Sequence, residues 1–225
     1  MKSLIIIPAR NESSTIGNIV TKIKQITNFE VLVVDDASND NTLEKAHEGG
    51  AVTLSLAIQL GAWGATRTGF RYALHNNYDY VITMDADGQH STESIHLLMT
   101  EIQSSNSDVI IGSSTQRGNQ YKKLAWYIFR KISLLNIMDL TSGLRIYNRS
   151  AVKVLLNNDT ALFNYQDIGV LLTLKNSGFR ITEVPVNMAC RSVGRSKIFN
   201  SWFAILKYFL YTFILCIIKI KRSKY

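Results

Sequence analysis

Short apolar runs alternate along this chain with stretches whose apolar residues recur at helical spacing, and this alternation limits the fold more than any other feature. Apolar runs of four or five residues that end in polar turns are typical of buried strands. Strands that alternate with helices indicate βαβ units, a largely parallel sheet and right-handed crossovers. The sequence therefore predicts an α/β fold, with strands at Leu4–Pro8, Glu30–Val34, Val52–Leu56, Val81–Met84, Asp108–Gly112 and Arg180–Val186, and a loop entering a short strand at Thr141–Tyr147.

The helices between these strands are predicted from the polar residues and glycines at their ends. Ser13 or Ser14 is expected to cap a helix that ends near Ile26, and Gly178 is expected to end another in the left-handed conformation. Proline lacks a backbone donor, so Pro185 predicts that the last strand lies at a sheet edge or ends there. Further helices are predicted to begin at 40–42 and to extend over about 65–76, 92–103, 150–156 and 168–176.

Composition narrows the class of protein. With 225 residues, 46% of them hydrophobic and 19% charged, the chain is expected to fold as an α/β domain rather than to remain disordered. The isolated cysteines, Cys190 and Cys216, fit a reducing compartment, and the apolar run after Lys2 is too short for a secretory signal peptide. A net charge of +8 suits an anionic membrane surface or a phosphorylated substrate. Nucleic acid is disfavoured as a partner, because no binding motif for it occurs and the centre at Asp85–Asp87 is acidic.

Two carboxylates follow the apolar run Val81–Met84 directly. Asp85 and Asp87 are separated by one alanine, and a glycine follows them. A strand that ends in this way places oxygen ligands at the carboxyl edge of a sheet, where open α/β sheets bind ligands. Adjacent carboxylates repel each other, and Mg²⁺ or Mn²⁺ between them would suit oxygen ligands and share its shell with substrate phosphates. The sequence therefore predicts a site for a metal and a diphosphate.

The last part of the chain has a different composition. From Ile198 to Ile218 nearly every residue is apolar or aromatic, and a basic cluster, Lys219–Lys224, follows. A spanning helix needs about 20 predominantly apolar residues, and Lys207 opposes insertion by roughly 2.5–3.5 kcal/mol. We predict a catalytic domain over 1–197 and, over 198–225, an amphipathic helix that lies on the cytoplasmic face of a membrane or enters it shallowly. The alternatives are a helix packed on the domain, a contact with a second copy or a membrane subunit, and a spanning helix.

Seven motifs follow one another in order over roughly 3–197. They are Ile-Pro-Ala-Arg-Asn-Glu at 7–12; Val-Asp-Asp-Ala-Ser-Asn-Asp-Asn-Thr at 34–42; Gly61 with Ala65, Gly69 and Ala73; Asp-Ala-Asp-Gly-Gln-His at 85–90; Ser142-Gly143 with Arg145; Glu-Val-Pro-Val at 183–186; and Arg191 with Gly194, Ser196 and Lys197. With these motifs the chain resembles the inverting glycosyltransferases of family 2. It is especially similar to the polyprenyl-phosphate sugar transferases of the dolichol-phosphate mannosyltransferase type. The resemblance implies the GT-A fold, a Rossmann-like, mainly parallel sheet with flanking helices.

The resemblance also implies a nucleotide-diphosphate sugar as donor, Mg²⁺ or Mn²⁺ as cofactor, and inversion at the sugar carbon. Asp87 and Gln89 would hold the metal. Asp36 would contact the base with Asp35 beside it, although a strand end also carries Asp as a helix cap or turn residue. The other implied donor-binding residues are Pro8, Ala9, Arg10, Glu12, Gly61, Asp85 and Ala86, the last two against the ribose and diphosphate.

The acceptor determines whether the reaction needs a base. A polyprenyl phosphate is already an anionic nucleophile, and Ser142, Arg145, Arg191 and Lys197 match the family positions that grip its phosphate. Together with Asp87, both arginines are then implied in catalysis. A hydroxyl of a lipid-linked or cell-surface glycan would instead need a general base. Asp167 lies where many relatives place that base, and its alternative is a helix N-terminal residue that interacts with the helix dipole. A non-catalytic nucleotide-sugar-binding subunit is the third hypothesis.

Overall fold

The described residues contain one sheet, whose strands alternate with helices. The computed structural model describes residues 1–114, 127, 130, 131, 133, 135–157, 160, 163, 167–188 and 213. The strands are β1 (Ser3–Ala9), β2 (Glu30–Asp35), β3 (Val52–Ser55), β4 (Tyr80–Thr83), β5 (Val109–Ser113), β6 (Arg145–Asn148) and β7 (Ile181–Pro185). Their order is β3-β2-β1-β4-β6-β5-β7. Only the pairings of β6, with β4 and with β5, are antiparallel. The predicted, mainly parallel α/β sheet is therefore confirmed, and β7 with Pro185 lies at an edge as expected.

The strand register brings several loops to the same edge of the sheet. Ala9 at the end of β1 pairs with Asp35 at the end of β2, and β4 runs parallel to β1. Because β6 runs the other way, its first residue, Arg145, pairs with Thr83 at the end of β4 and with Ile111 in β5. The loop before β6 therefore joins the loops after β1, β2 and β4 at one edge, which we call the carboxyl edge.

Helices cover both faces of the sheet. They are α1 (Ile16–Ile26), α2 (Thr42–Glu48), α3 (Gly61–His75), α4 (Glu93–Ser104), α5 (Arg149–Leu155) and α6 (Ile168–Asn176). Buried residues of α1, α2 and α4 share one core cluster, and those of α3, α5 and α6 share another. Strand β1 lies between the clusters, with Leu4 and Ile6 in the α3 cluster and Ile5 and Ile7 in the α1 cluster. A strand buried on both faces is expected to be nearly continuously apolar, as β1 is from Leu4 to Ala9.

Glycine in α3 allows this helix to lie close to the sheet. A Cβ at Gly69 would be 2.6 Å from Cγ2 of Ile6. That distance is far shorter than the roughly 3.5–4.0 Å at which carbon atoms pack. The motif glycine at this position is therefore explained by packing against β1.

Helix α3 begins earlier than the sequence predicts. The segment before Ala65 is predicted as a loop, but α3 starts at Gly61, because a carboxylate supplied by the loop after β2 accepts hydrogen bonds from its first amides. Helix α1 begins at Ile16 after Thr15 rather than after Ser13 or Ser14. The remaining predicted elements agree with the structure to within one residue at each end, and Gly178 has the expected positive φ, 81°.

Among the described helices, none is both long enough and apolar enough to cross a membrane. The predicted C-terminal helix over 198–225 lies outside the described residues except for Phe213. The domain boundary at 197 and the membrane-associated helix therefore stay predictions.

Candidate active site

The loops after β1 and β2 are tied to each other by hydrogen bonds. The amide of Asn11 donates to Oγ of Ser38, and the amide of Asn39 donates to Oδ1 of Asn11, both at 2.9 Å. Asn11 and Ala37 have positive φ angles of 52° and 55°. This left-handed conformation costs a residue with a Cβ about 1–2 kcal/mol, so tertiary contacts have to maintain it. The two loops therefore form one fixed unit at the carboxyl edge.

Four predicted donor-binding residues lie in the first of these loops or just before it. Pro8 and Ala9 end β1, and Arg10 and Glu12 follow, with Ala9 buried and the other three half-buried. The amide of Asp36 donates to the Ala9 carbonyl at 2.8 Å, which continues the β1–β2 pairing past the strand ends. The structure thus brings these four residues against the loop that carries the predicted base-contacting carboxylate.

Asp40 fixes the end of the second loop. Its carboxylate accepts from the amide of Ser13 at 3.2 Å and from the amide of Thr42 at 3.1 Å, as well as from the Thr42 hydroxyl. Burial alone would raise the pKa of Asp40, but the hydrogen bonds from Thr42 and Ser13 outweigh burial and lower this pKa below its ordinary value. The carboxylate therefore stabilises the fold above its unfolded-state pKa, and this stabilisation is lost as the pH falls through the folded-state pKa.

The two carboxylates that follow β2 are buried and hydrogen-bonded. Asp35 accepts from the amide and the hydroxyl of Ser38. Asp36 accepts from the amides of Leu60 and Gly61 at 2.6 and 2.9 Å. The positive end of the α3 dipole also stabilises its negative charge. The turn role of Asp35 and the helix-cap role of Asp36 are therefore the observed ones. Gly61 is the first residue of α3 and lies against Asp36. Contact of Asp36 with a base and of Gly61 with the donor stay predictions.

The turn after β4 is fastened to the loop after β1. The hydroxyl of Thr15 donates to the Ala86 carbonyl at 2.9 Å. Asp87 accepts from the amide of Gln89 at 3.1 Å, and Gly88 between them has a φ of 72°, which favours glycine. The turn therefore holds the two predicted metal ligands on one short loop beside the predicted donor-binding loop.

Asp85 is confined between His90 and Gly143. His90 is buried, and its Nε2 lies 3.4 Å from Oδ2 of Asp85. On the other side, a Cβ at Gly143 would be 2.3 Å from Oδ1 of Asp85. The Gly143 carbonyl accepts from the Thr83 hydroxyl at 2.9 Å, so this loop is itself fixed to β4. The Asp85 side chain remains 45% exposed at the carboxyl edge.

Ser142 and Arg145 are predicted to grip the acceptor phosphate, but both are fully buried. The Ser142 hydroxyl donates to the Gly112 carbonyl at 2.6 Å. Arg145 donates from Nε to the Ser142 carbonyl at 2.9 Å and from Nη2 to the Leu140 carbonyl at 3.0 Å. Both side chains therefore shape the loop before β6 instead of forming its surface. Nη1 of Arg145 is buried as well and has no hydrogen-bond partner within the described part of the chain, so the arginine does not reach the surface of the carboxyl edge and its phosphate contact stays a prediction.

The other two predicted acceptor residues, Arg191 and Lys197, lie outside the described residues. Their roles therefore stay predictions.

Two carboxylates that the sequence does not single out brace the same loop. Glu183 in β7 accepts from the amides of Met138 and Asp139 at 2.6 and 2.8 Å. Asp139 is fully buried and accepts from the amide of Ser114 at 3.3 Å. In the sequence, Glu183 begins the Glu-Val-Pro-Val motif, and Asp139 lies just before Ser142-Gly143. These positions are the features that could have drawn attention to the two carboxylates. Spacing alone does not reveal their bracing roles, because their partners come from distant segments.

Asp167 lies at the carboxyl edge. It is the N-cap of α6 and accepts from the amide of Gly169 at 3.3 Å. Strand β7 follows α6 after Gly178, and its first residue pairs with Val109 at the start of β5, at the opposite edge of the sheet. Helix α6 therefore runs from the carboxyl edge toward the opposite edge. The N-terminal helix role is thus the observed one. A role for Asp167 as general base stays a prediction.

The residues of the turn after β4 fit a divalent cation. No group of three or more His, Cys, Asp or Glu side chains converges within the described ranges. Mg²⁺ does not need such a group, since one or two carboxylates, waters and substrate phosphates complete its shell. The Asp87 carboxylate and the Gln89 amide oxygen are hard ligands on one loop, and Asp85 stands close by in sequence. This set therefore suits a cation that is shared with a diphosphate.

The sheet order, the paired carboxylates after β4 and the loops beside them define a glycosyltransferase of the GT-A type. The fold matches the crystal structure of glucosyl-3-phosphoglycerate synthase from Mycobacterium tuberculosis in complex with Mn²⁺, uridine diphosphate and phosphoglyceric acid. The TM-score is 0.74 and the identity 19%, over 96% of this chain and 78% of that one. The chain belongs to glycosyl transferase family 2, whose model matches residues 4–156.

Similar sequences include transferases that are named for lipid phosphates. The undecaprenyl-phosphate mannosyltransferase of Micrococcus luteus is 31% identical over 88% of this chain and 87% of its own length. The UDP-N-acetylglucosamine–dolichyl-phosphate N-acetylglucosaminyltransferase of Methanococcus voltae is 26% identical over 81% of this chain and 83% of its own length. The family, the enzyme class and the mainly parallel GT-A-like fold that the sequence predicts are confirmed.

Proposed function

We propose that this glycosyltransferase moves a sugar from a nucleotide-diphosphate sugar onto a polyprenyl phosphate, with inversion at the sugar carbon. The observation that carries the proposal is the convergence, at the carboxyl edge, of the joined loops after β1 and β2 with the turn after β4. The names of the two relatives support a polyprenyl phosphate as acceptor. Because these names specify different sugars, the proposal is for the acceptor class and not for one sugar.

The donor would lie across the joined loops and the turn after β4. Asp36 and Asp35 fix the loop on the nucleoside side through their amide and hydroxyl partners. The partly exposed carboxylate of Asp85 would face the ribose and diphosphate, and its direction is set by His90 and Gly143. Such preorganisation matters because a catalytic group that is misplaced by about 1 Å can lower a rate roughly 100-fold.

Asp87 and Gln89 would hold Mg²⁺ or Mn²⁺ on the diphosphate side. When bound there, the cation would stabilise the departing diphosphate as a Lewis acid. The chain would then need no general acid for the leaving group. The hydrogen bond from the backbone amide of Gln89 to the Asp87 carboxylate would keep both ligands on the same side of the turn.

The acceptor phosphate would attack the sugar carbon from the face opposite the diphosphate, which inverts that carbon in a single displacement. A phosphate monoester is already anionic at neutral pH, so it needs cations to position it and not a base to activate it. The predicted Arg191 and Lys197 would supply these cations, and the charge of the buried Arg145 lies beneath the loop before β6. The setting of Asp167 supports this acceptor over a hydroxyl, because the residue is only 6% exposed and its carboxylate already accepts from the Gly169 amide.

We infer that the reaction takes place at the cytoplasmic face of a membrane. A polyprenyl phosphate stays in the bilayer, so the enzyme has to work at its surface. The apolar stretch from Ile198 to Ile218 and the basic cluster Lys219–Lys224 have the composition of a helix that binds an anionic interface. This membrane helix is the proposed means of placing the carboxyl edge near the lipid phosphate.

The experiment that tests the proposal is a donor panel with the full-length protein in detergent. UDP- and GDP-sugars are each incubated with undecaprenyl or dolichyl phosphate and Mn²⁺, and lipid-linked sugar is measured. One donor is expected to give a lipid-linked product in a metal-dependent reaction. Transfer only to glycan hydroxyls, with none to the lipid phosphate across the panel, would contradict the proposal.

A further inference from the structure

Two side chains on one face of α3 hold the connection between α5 and α6. The indole nitrogen of Trp63 donates to the carbonyl of Thr160 at 2.8 Å. One helical turn later, Nη2 of Arg67 donates to the carbonyls of Leu156 and Asn157 at 3.0 and 3.2 Å. Trp63 is 1% exposed and Arg67 is 7% exposed, so both side chains act from inside the protein.

The partners of these side chains are backbone carbonyls of the connection. Two of them also accept within the connection, that of Asn157 from the Thr160 amide at 3.2 Å and that of Thr160 from the Phe163 amide at 3.3 Å. Helix α5 ends at Leu155, and the carbonyls that follow a helix end have no partner within the helix. The buried hydroxyl of Thr160 donates to the carbonyls of Leu155 and Asn157 at 2.6 and 2.8 Å. Arg67 and Thr160 together therefore satisfy the end of α5, and they fix the direction in which the chain leaves it.

Aromatic packing extends the contact along the connection. The Trp63 ring lies 5.9 Å from the Phe70 ring and 6.3 Å from the ring of Phe163, which is 6% exposed. Four residues beyond Phe163 the chain reaches Asp167. The described anchor points of the connection, Asn157, Thr160 and Phe163, are thus all held by or packed near the same face of α3.

The topology places this contact beside the donor region. Helix α3 starts at the carboxyl edge, where Asp36 binds its first amides. Helix α5 runs back toward that edge, because Asn148 before it pairs with Tyr80 at the opposite edge. The end of α5 therefore faces the first two turns of α3, and Asp167 then begins α6 at the carboxyl edge. One rigid helix links the loop that carries Asp36 to the segment that leads to Asp167.

The burial of the Arg67 guanidinium has an unfavourable component. Burial lowers the pKa of Arg67, and the charge of Arg71 lowers it further. Within the described part of the chain Nε of Arg67 has no hydrogen-bond partner, and burying an unpaired polar atom is unfavourable. A long side chain that reaches two carbonyls at once has a geometric advantage, since it fixes the connection at two consecutive residues.

We propose that Trp63 and Arg67 are positioning residues for sugar transfer: from α3 they set the connection between α5 and α6, and with it the position of Asp167 at the carboxyl edge, relative to the donor loop that carries Asp36. This inference rests on the proposed function. It assigns a role to Arg67, a residue that none of the seven sequence motifs includes. Neither residue needs to touch a substrate for this role.

The test uses two variants that keep the bulk of each side chain. Trp63→Phe removes the indole donor but keeps a ring against Phe70 and Phe163, and Arg67→Met removes the guanidinium but keeps the apolar stem. Tyr72→Phe is the matched control, because it deletes a hydrogen bond to Glu30 on the same helix, far from the carboxyl edge. Donor affinity is measured by calorimetry with Mn²⁺, and kcat and KM are measured with undecaprenyl phosphate.

Both variants are expected to bind the donor nucleotide within twofold of wild type but to lose about tenfold or more in kcat/KM for undecaprenyl phosphate. The kcat/KM of the double variant should be only slightly below that of the less active single variant, because both side chains act on one segment. Arg67→Lys, which keeps a cationic donor, should recover part of the loss. Equal losses in donor affinity and transfer, or losses matched by Tyr72→Phe, would overturn the proposal in favour of a merely structural role.

A second measurement does not depend on the acceptor. Amide hydrogen exchange at Thr160 and Gly169 should accelerate in both variants but not in Tyr72→Phe. If wild type gave no lipid-linked sugar, the proposed function would fail, yet faster exchange would still show that Trp63 and Arg67 hold the connection in place. Unchanged exchange at both amides would overturn the inference whatever the acceptor is.

Discussion

Gly143→Ala should separate the chemistry of the carboxyl edge from the stability of the fold. A Cβ at this position would lie 2.3, 2.4 and 2.5 Å from Oδ1, Oδ2 and Cγ of Asp85. Ordinary contacts begin near 3.4 Å, so the carboxylate has to move by about 1.1 Å or rotate away. The φ of Gly143 lies outside the left-handed region, so alanine adds no backbone strain, and a partly exposed carboxylate can move at little cost.

The expected result is a folded protein with a defective site. A displacement of about 1 Å can reduce a rate about 100-fold, which corresponds to roughly 2.7 kcal/mol at the transition state. The assay compares kcat/KM for sugar transfer, and nucleotide affinity with Mn²⁺, between Gly143→Ala and wild type. The melting temperature of Gly143→Ala is expected to stay within a few degrees of that of wild type. A variant that retained wild-type turnover and affinity would refute the assignment of Asp85 to the donor site.

Gly69→Ala is the matched control, because its Cβ would clash with a residue that is unable to move away. Cγ2 of Ile6 would lie at 2.6 Å, and Ile6 is fully buried in β1. Overpacking of this kind costs about 1–3 kcal/mol in the free energy of unfolding. Gly69→Ala should therefore lose stability while its folded fraction keeps wild-type specific activity, which is the opposite pattern to Gly143→Ala.

Three further predictions concern the cap of α3, alkaline stability and the C-terminal tail. Asp36→Ala should lower the free energy of unfolding in urea by about 1–2 kcal/mol, because two amides at the start of α3 lose their acceptor; an unchanged value would contradict the cap. Burial and the carboxylate of Glu30 raise the pKa values of Tyr72 and Tyr78. Their stabilisation should be complete below the unfolded-state pKa of about 10 and be lost as the pH rises toward the folded-state values; a free energy of unfolding that did not fall between pH 9 and 11.5 would count against these contacts. Removal of the residues after Lys197 should release the protein from anionic vesicles, and sedimentation of the shortened protein with them would refute the membrane helix.

Much of the fold could be predicted because local patterns determine it. Buried strands such as β1 are apolar along nearly their whole length, and Gly178 follows α6 with a positive φ that favours glycine. The reversed pairing of β6 between β4 and β5 could not be predicted, because it depends on contacts between segments far apart in sequence. The order of the motifs identified the family, but not which of their residues face a substrate.

The candidate site shows this limit most clearly. Asp36, Ser142 and Arg145 match motif positions, and the structure uses all three to hold backbone groups. The sequence gives the residue type at a position but not the direction of its side chain. Arg145 therefore has the right charge for a phosphate, yet two of its nitrogens bind carbonyls inside the protein. The bracing role of Glu183 was missed for the same reason.

The measurement that tests the proposed function most directly is the product formed by the full-length protein with Mn²⁺, its preferred nucleotide sugar and undecaprenyl phosphate. Mass spectrometry and NMR of the lipid fraction should show one sugar on the phosphate, with the anomeric configuration opposite to that of the donor. The product should be lost on addition of a chelator and in Asp87→Ala. Equal product with Asp87→Ala, a retained anomeric configuration, or sugar found only on hydroxyl acceptors would contradict inverting, metal-dependent transfer to a polyprenyl phosphate.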